Sequence, residues 1–168
     1  MRRNLFFLLA VVGLAAVLAV PAAFAGNAHF ISSFSSATLS GSDLTCSFKE
    51  AGLESGSVEN IICTATAETT YECVNNGGHN PAATNKTTTV TQASSPPRAF
   101  TATKNGNVSG TTNPISPPTA AQLGFTCPSG QTVTFVSVCY TNVMVVDTTS
   151  GASDEIAGTF CYTNPNAP

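Results

Sequence analysis

The chain has 168 residues, of which 42% are hydrophobic and only 9% charged, with a formal net charge of −3 and a pI near 5.1. So few bases on an acidic chain exclude the electrostatic footprint of a nucleic-acid binder or of a protein drawn to anionic membranes. Ser and Thr supply the polarity instead, and Thr favours strands because its branched Cβ suits a pleated surface.

In chain order, the first feature is an export signal. Arg2 and Arg3 form a basic start, Leu5 to Val20 is an apolar run, and Pro21 precedes small residues at Ala23 and Ala25. This pattern predicts a cleaved signal peptide over 1–25, with cleavage after Ala25. The run is short for a membrane span of ~20 residues. The mature domain is then 26–168, secreted and extracellular, with no membrane attachment after cleavage. Lys49, Lys86, Arg98 and Lys104 remain as its bases, against nine acids.

Downstream, no segment sustains a 3.6-residue period, whereas several alternate with period 2. Strands are expected at Phe30–Leu39 and Leu44–Lys49. The clearest alternation runs from Glu59 to Val74. Ile61, Cys63, Ala65, Ala67, Thr69, Tyr71 and Cys73 fall on one face, and Thr64, Thr66, Glu68, Thr70 and Glu72 on a wet one. Its length suggests two consecutive strands broken by a bulge near Ala67. Further strands are expected at Lys86–Ala93, Ala99–Lys104 and Asn107–Thr112, with Asn105-Gly106 as a type I′ hairpin turn between the last two. Pro96-Pro97, Pro114, Pro117-Pro118 and Pro128 punctuate the connections, and Thr119–Leu123 is the one place for a helical turn. Gln131–Asp147 is apolar on both faces. Val133, Phe135, Cys139, Val143 and Val145 oppose Val136, Val138, Tyr140, Met144 and Val146, as in a central or covered strand. Ile156–Tyr162 completes the set. About eight short strands with turn signals between them predict an all-β fold, a single antiparallel β-sandwich of immunoglobulin-like type, with a closed barrel as the alternative.

Six cysteines in an exported domain read as a disulfide framework. A symmetric hairpin joining Cys46 to Cys63 has its centre between Glu54 and Ser55, inside the Gly/Ser-rich Ala51–Ser57 loop. One joining Cys139 to Cys161 has its centre at Ser150, inside the Thr148–Ser153 turn. Both pairs would be cross-strand neighbours, and elimination leaves Cys73 with Cys127. Six cysteines allow 15 pairings, so this is one among many.

The stretch Thr70–Lys86 (TYECVNNGGHNPAATNK), then Gly124–Pro128 (GFTCP), then Cys139–Gly151 (CYTNVMVVDTTSG) resembles a group of small exported proteins of actinobacteria. The resemblance covers most of the mature chain. It implies a secreted β-rich domain, carries no activity with it, and makes Cys73 and Cys127 the shared cysteine pair, the other four being extras here.

The chain shows no Gly-x-Ser-x-Gly elbow, no P-loop and no Gly-x-Gly-x-x-Gly. No nucleophile, base and orienting acid can be named together. With two histidines and no cysteine to spare, zinc is not expected, and neither is any other metal or a cofactor. Asp147, Asp154 and Glu155 flank a turn and raise the question of calcium, but they lack EF-hand spacing and read as turn solvation. Glu50, Glu54 and Glu59 border another loop, where acids are ordinarily solvated. The candidate contact residues are Asn75, Asn76, His79 and Asn80, because Gly77 and Gly78 permit close backbone approach and Asn offers both donors and acceptors. The same residues would also suit a plain turn. The expectation is therefore a non-enzymatic extracellular β-sandwich that binds an extracellular protein or a cell-wall partner. The alternatives are a secreted protease inhibitor, using Thr112–Thr119 or the Cys127-Pro128 loop, and a carboxylate-dependent hydrolase.

Overall fold

A computed structural model describes residues 27–75 and 85–167. Among the described residues, ten strands make two antiparallel sheets. They are β1 (His29–Phe30), β2 (Ser36–Ser40), β3 (Asp43–Ala51), β4 (Val58–Asn75), β5 (Lys86–Ser94), β6 (Arg98–Thr101), β7 (Val108–Thr111), β8 (Gln131–Asp147), β9 (Ser153–Ile156) and β10 (Phe160–Thr163). The all-β sandwich read from the alternation is the architecture observed. The expected Phe30–Leu39 strand is interrupted by a 3-10 turn at Ser32–Phe34, which splits it into β1 and β2. Likewise Ala157-Gly158-Thr159 divides the expected Ile156–Tyr162 strand into β9 and β10.

The small sheet is built on β3. β1 and β2 lie end to end along one edge, since Phe30 faces Glu50 and Ser36 faces Ser47; β7 takes the other edge, with Val108 facing Glu50. The large sheet is built on β4 and β8, paired from Ile61↔Asp147 to Asn75↔Gln131. β5 and β6 share the outer edge of β4, and β9 and β10 share the outer edge of β8. Leu44, Cys46 and Phe48 of β3 pack on Ile61, Cys63, Ala65 and Ala67 of β4 and on Val138, Tyr140, Val143 and Val145 of β8. The small alanines at the middle of β4 let the sheets approach. Phe48 stands edge-on to Phe30 and Phe100, at 5.8 and 5.0 Å between centroids, a geometry aromatic quadrupoles favour. Fully burying such a ring stabilises by about 1.5–3 kcal/mol.

The expected odd-numbered face of β4 is the core face, from Glu59 to Cys73. Two details differ. Glu72, expected on the wet face, is fully buried with Oε2 held 2.9 Å from Lys86 Nζ. β4 is also one unbroken strand; the irregularities sit on β8. Thr64↔Met144 is followed by Thr66↔Thr141, and Thr70↔Ser137 by Tyr71↔Phe135, so β8 carries an extra residue at each point. Asn142, at φ 49°, forms the first bulge, and Asn tolerates the left-handed region better than most residues. A one-residue insertion flips side-chain parity. The core row of β8 is therefore Val138 and Tyr140, then Val143 and Val145, not the constant-parity rows expected.

Three disulfides join Cys46 to Cys63, Cys73 to Cys127 and Cys139 to Cys161. Cys139 and Cys161 are direct cross-strand partners of β8 and β10, as hairpin symmetry required. Cys46 and Cys63 pair for a different reason. β3 and β4 belong to different sheets, so this bridge crosses the core, with Cα atoms 5.6 Å apart and both cysteines fully buried. The 51–57 loop is a crossover between sheets, and so is the Asn105-Gly106 turn, because β6 pairs with β4 while β7 pairs with β3. The two crossovers are stitched together. Leu53 N–H donates to Gly106 O (3.0 Å), Gly56 N–H to Ala102 O (3.1 Å), and Ala102 N–H to Ser57 O (2.8 Å). A local turn does form, with Gly106 N–H on Thr103 O (2.9 Å), but only Gly106 has φ above zero, so it is not type I′. A Cβ at Gly106 would collide with the Leu53 carbonyl, which is why glycine stands there.

Sheet β4/β8 extends beyond the small sheet. There Tyr71 on the inner face of β4 meets the Pro-rich segment 112–130. Ile115 bonds both ways with Leu44, at 2.7 and 2.9 Å. Tyr71 donates its hydroxyl to Pro118 O (2.9 Å) and packs against Phe125 and Phe135. The expected helical turn is present, with Leu123 N–H on Thr119 O (3.1 Å). Thr119 and Gln122 cap it reciprocally: Gln122 Oε1 accepts from Thr119 N–H (2.7 Å), and Thr119 Oγ1 accepts from Gln122 N–H (3.3 Å). Cys127 then ties the segment to Cys73.

Candidate functional site

The residues singled out by sequence go to different places. Asn75 ends β4, opposite Gln131, two residues beyond the bridged Cys73. Asn76, His79 and Asn80 lie outside the described residues, as does the expected signal peptide. Asp147, Asp154 and Glu155 do not converge. Asp154 faces Val145, and Glu155 faces Met144 on the opposite side of the sheet; Asp154 Oδ1 accepts from Ser32 Oγ (2.8 Å). Among the described residues no group of three His, Cys, Asp or Glu has a metal-holding arrangement. Thr112–Thr119 is stitched to β3 by the Ile115 bridge and by Thr112 N–H on Cys46 O (2.9 Å).

The structure instead assembles three acids that the sequence reading left as solvated residues bordering loops. Glu50 of β3, Glu59 of β4 and Asp147 of β8 meet between the sheets beside the crossovers. Glu50 and Asp147 are 0% exposed and Glu59 is 3% exposed. The strand pattern explains the burial. Glu50 continues the Leu44, Cys46, Phe48 row, Glu59 precedes the Ile61, Cys63 row, and Asp147 follows Val143 and Val145 after the bulge. That is the signal sequence reasoning missed: each acid sits in phase with an apolar row, so burial of the row takes the acid with it.

Asp147 lies close enough to both glutamates for its charge to raise them. Ser150 Oγ donates to Glu50 Oε1 (3.3 Å), Ser57 Oγ donates to Glu59 Oε1, and Thr149 N–H donates to Asp147 Oδ1 (2.8 Å). The turn after β8 closes the end of the cluster, because Thr148 N–H and Oγ1 both bond to Asn60 O, each at 2.9 Å. Glu50 Oε2 and Asp147 Oδ2 are buried without a hydrogen-bond partner. Among the described residues no base is placed to balance the charge. Lys49 points the other way, its ammonium 5.1 Å over the Phe34 ring, and Arg98 bonds Thr111 O (2.8 Å) and lies over Phe100. Burial, reinforced by the Asp147 charge, therefore pushes the Glu50 carboxyl up to about 7. Burial raises Glu59 too, with Asp147 adding to it and Ser57 opposing.

Glu50 therefore keeps its proton to a higher pH than an exposed glutamate does. Raised acids are also the mark of general-acid sites, but a general acid must reach its substrate. Neither of two surface hollows, of about 450 Å³ beside Ser35 and Phe160 and about 630 Å³ between Pro96 and Gln122, includes any of the three acids. No protein-family model, curated protein or solved structure matches the chain.

Proposed function

We propose that the chain is an exported, non-enzymatic β-sandwich that binds an extracellular protein or cell-wall partner through the segment beginning at Asn75. The observation that carries this reading is the Cys73–Cys127 bridge. It fixes the end of the longest strand, so the Asn/Gly segment that follows starts from a rigid base, the arrangement in which binding residues are commonly found. Three disulfides with no free cysteine among the described residues support an oxidising compartment. No helix among the described residues is long and apolar enough to cross a membrane. The hydrolase reading has Glu50 and Glu59 shut in the core and only Glu54 exposed, and the inhibitor reading has its Thr112–Thr119 segment bonded into the sandwich.

Replacing Asn76, His79 and Asn80 with Ala while keeping Gly77 and Gly78 tests the proposal. The melting temperature should stay within about 2 °C, since surface changes away from caps and cores cost under ~0.5 kcal/mol. Partner capture from the native secretome and cell wall should be lost. Unchanged capture rejects the segment as the contact surface. N-terminal sequencing of exported protein should begin at Gly26, and retention of 1–25 would reject export by cleavage.

A further inference from the structure

The edge strand β5 is built differently from the other edges. β1, β2, β6, β7, β9 and β10 have five residues or fewer, whereas β5 has nine. It pairs with β4 through nine consecutive partners without a register shift. Exposed edges are normally blunted by proline, a bulge or an inward charge, because their free N–H and C=O groups template another strand. β5 has none of these. Its one charged residue is Lys86, at its first position, with the ammonium held by Glu72 of the same chain.

The direction of its backbone groups follows from one bond. Ser95 N–H donates to Cys63 O (2.9 Å), continuing the register in which Ser94 faces Thr64. In an antiparallel ladder, alternate residues turn both backbone groups toward the same neighbour. Thr87, Thr89, Thr91 and Ala93 therefore face β4, and Lys86, Thr88, Val90, Gln92 and Ser94 turn theirs to the free edge. No other described segment bonds there. Val90 is the middle residue of β5 and is 60% exposed, one of three exposed large hydrophobic residues among those described.

We propose that β5 pairs antiparallel with β5 of a second copy of this chain, about a two-fold axis through Val90, joining the two large sheets into one. On that axis the Val90 residues face each other and exchange both backbone hydrogen bonds, because their N–H and C=O groups already point outward. The rest of the register is compatible with itself. Thr88 meets the second copy's Gln92, and Lys86 meets its Ser94. Gln92 already donates to a threonine hydroxyl, Thr66 Oγ1, at 3.0 Å. The exposed acid in the same row is Glu68, opposite Val90. The two copies of Glu68 would stand three strand spacings apart, about 14 Å, beyond the screening length at physiological salt. A two-fold interface of this kind is closed, so it makes a dimer and not a fibre. Edge pairing buries less than the ~1,600 Å² of a standard interface, so the affinity belongs in the micromolar range.

Sedimentation equilibrium of the mature, oxidised protein from about 1 µM to about 500 µM tests this. The expected result is a monomer–dimer equilibrium. Val90→Lys sets two ammonium groups on the axis and should weaken the dimer by about tenfold or more, with the melting temperature of the monomer unchanged. Amide hydrogen exchange of the unmodified protein gives a second readout. Thr88, Val90 and Gln92 should become protected as concentration rises, while Thr87, Thr89 and Thr91, already bonded to β4, should not change. A monomer throughout the range overturns the proposal. So does a dimer indifferent to Val90→Lys, or concentration-dependent protection confined to other strands.

Discussion

The two ends of the large sheet are covered in opposite ways. At the crossover end β4 and β8 face a second sheet, and that contact contains a disulfide, an aromatic trio and three acids whose charge no described base balances. At the far end the same two strands meet the Pro-rich 112–130 segment, whose start is bonded to β3 through Thr112 and Ile115 and whose later part is held by the Tyr71 hydroxyl, a few aromatic contacts and the Cys73–Cys127 bridge. Sheet-on-sheet packing brings enough apolar area to carry a costly polar cluster inside it. The loop covering brings less, and a covalent link makes up the difference. Protonation should therefore govern the first end and redox state the second.

Removing the bridges is the strongest way to break this comparison. Cys73→Ala with Cys127→Ala opens a 54-residue separation, against 17 for Cys46 and Cys63. Chain entropy alone makes these losses about 4 and about 3 kcal/mol at 25 °C. The Cys46–Cys63 pair is wholly buried and also leaves a cavity, which narrows the gap. The two losses should differ in kind. Without Cys73–Cys127, amide exchange should rise in 112–130 and at the end of β4 while the β3/β4 core stays protected. Uniform loss of protection would show that the strap does not act locally.

Proton release comes next in size. Glu50 titrates near 7 in the folded chain, against an ordinary value of 4.5. Its raised value means that the folded state holds the proton more tightly. The stability from this group is therefore complete below about pH 4.5 and is lost as pH rises through about 7, amounting to roughly 3 kcal/mol. Glu59 acts in the same direction. Glu50→Gln keeps the shape without the titration. In urea unfolding from pH 5 to pH 9, the difference between Glu50→Gln and the unmodified protein should swing in favour of the variant as pH rises. Parallel curves would mean that Glu50 is ionised throughout.

The smallest effect sharpens the far end. Tyr71→Phe removes the hydroxyl bond to Pro118 O while keeping the ring against Phe125 and Phe135. The expected loss is about 1 kcal/mol by chemical denaturation, and amide exchange should quicken around Ala120–Phe125 alone. No measurable change would leave the disulfide as the segment's principal tether.

Much of the sandwich was legible because alternation is a local property. The β4 core row could be read from Ile61 to Cys73, and so could the Cys139–Cys161 hairpin, whose symmetry needs only the turn between the strands. The Thr119–Leu123 turn was placed by sequence too, and the structure shows it closed by a cap within four residues. The acid cluster was half legible: Glu50 and Glu59 stand in phase with apolar rows, yet each also borders a loop, and loop acids are usually wet. Asp147 could not be placed, since its phase depends on a bulge at Asn142 that shifts β8 by one residue.

Tertiary structure alone decided which strand each segment joined. Runs flanking a short turn can close on each other or part into two sheets, and the turn at Gly106 does the second although its local bonds would serve either. The choice depends on which apolar faces end up opposed, a sum over contacts distant in sequence. Cys46 and Cys63 show the consequence: symmetry about their loop pointed to the right partner, while the bond joins two sheets and not two strands of a hairpin. The amino-acid order determined faces, strand lengths and the supply of cysteines. Packing determined which faces met, and with them the burial of three acids on three different strands.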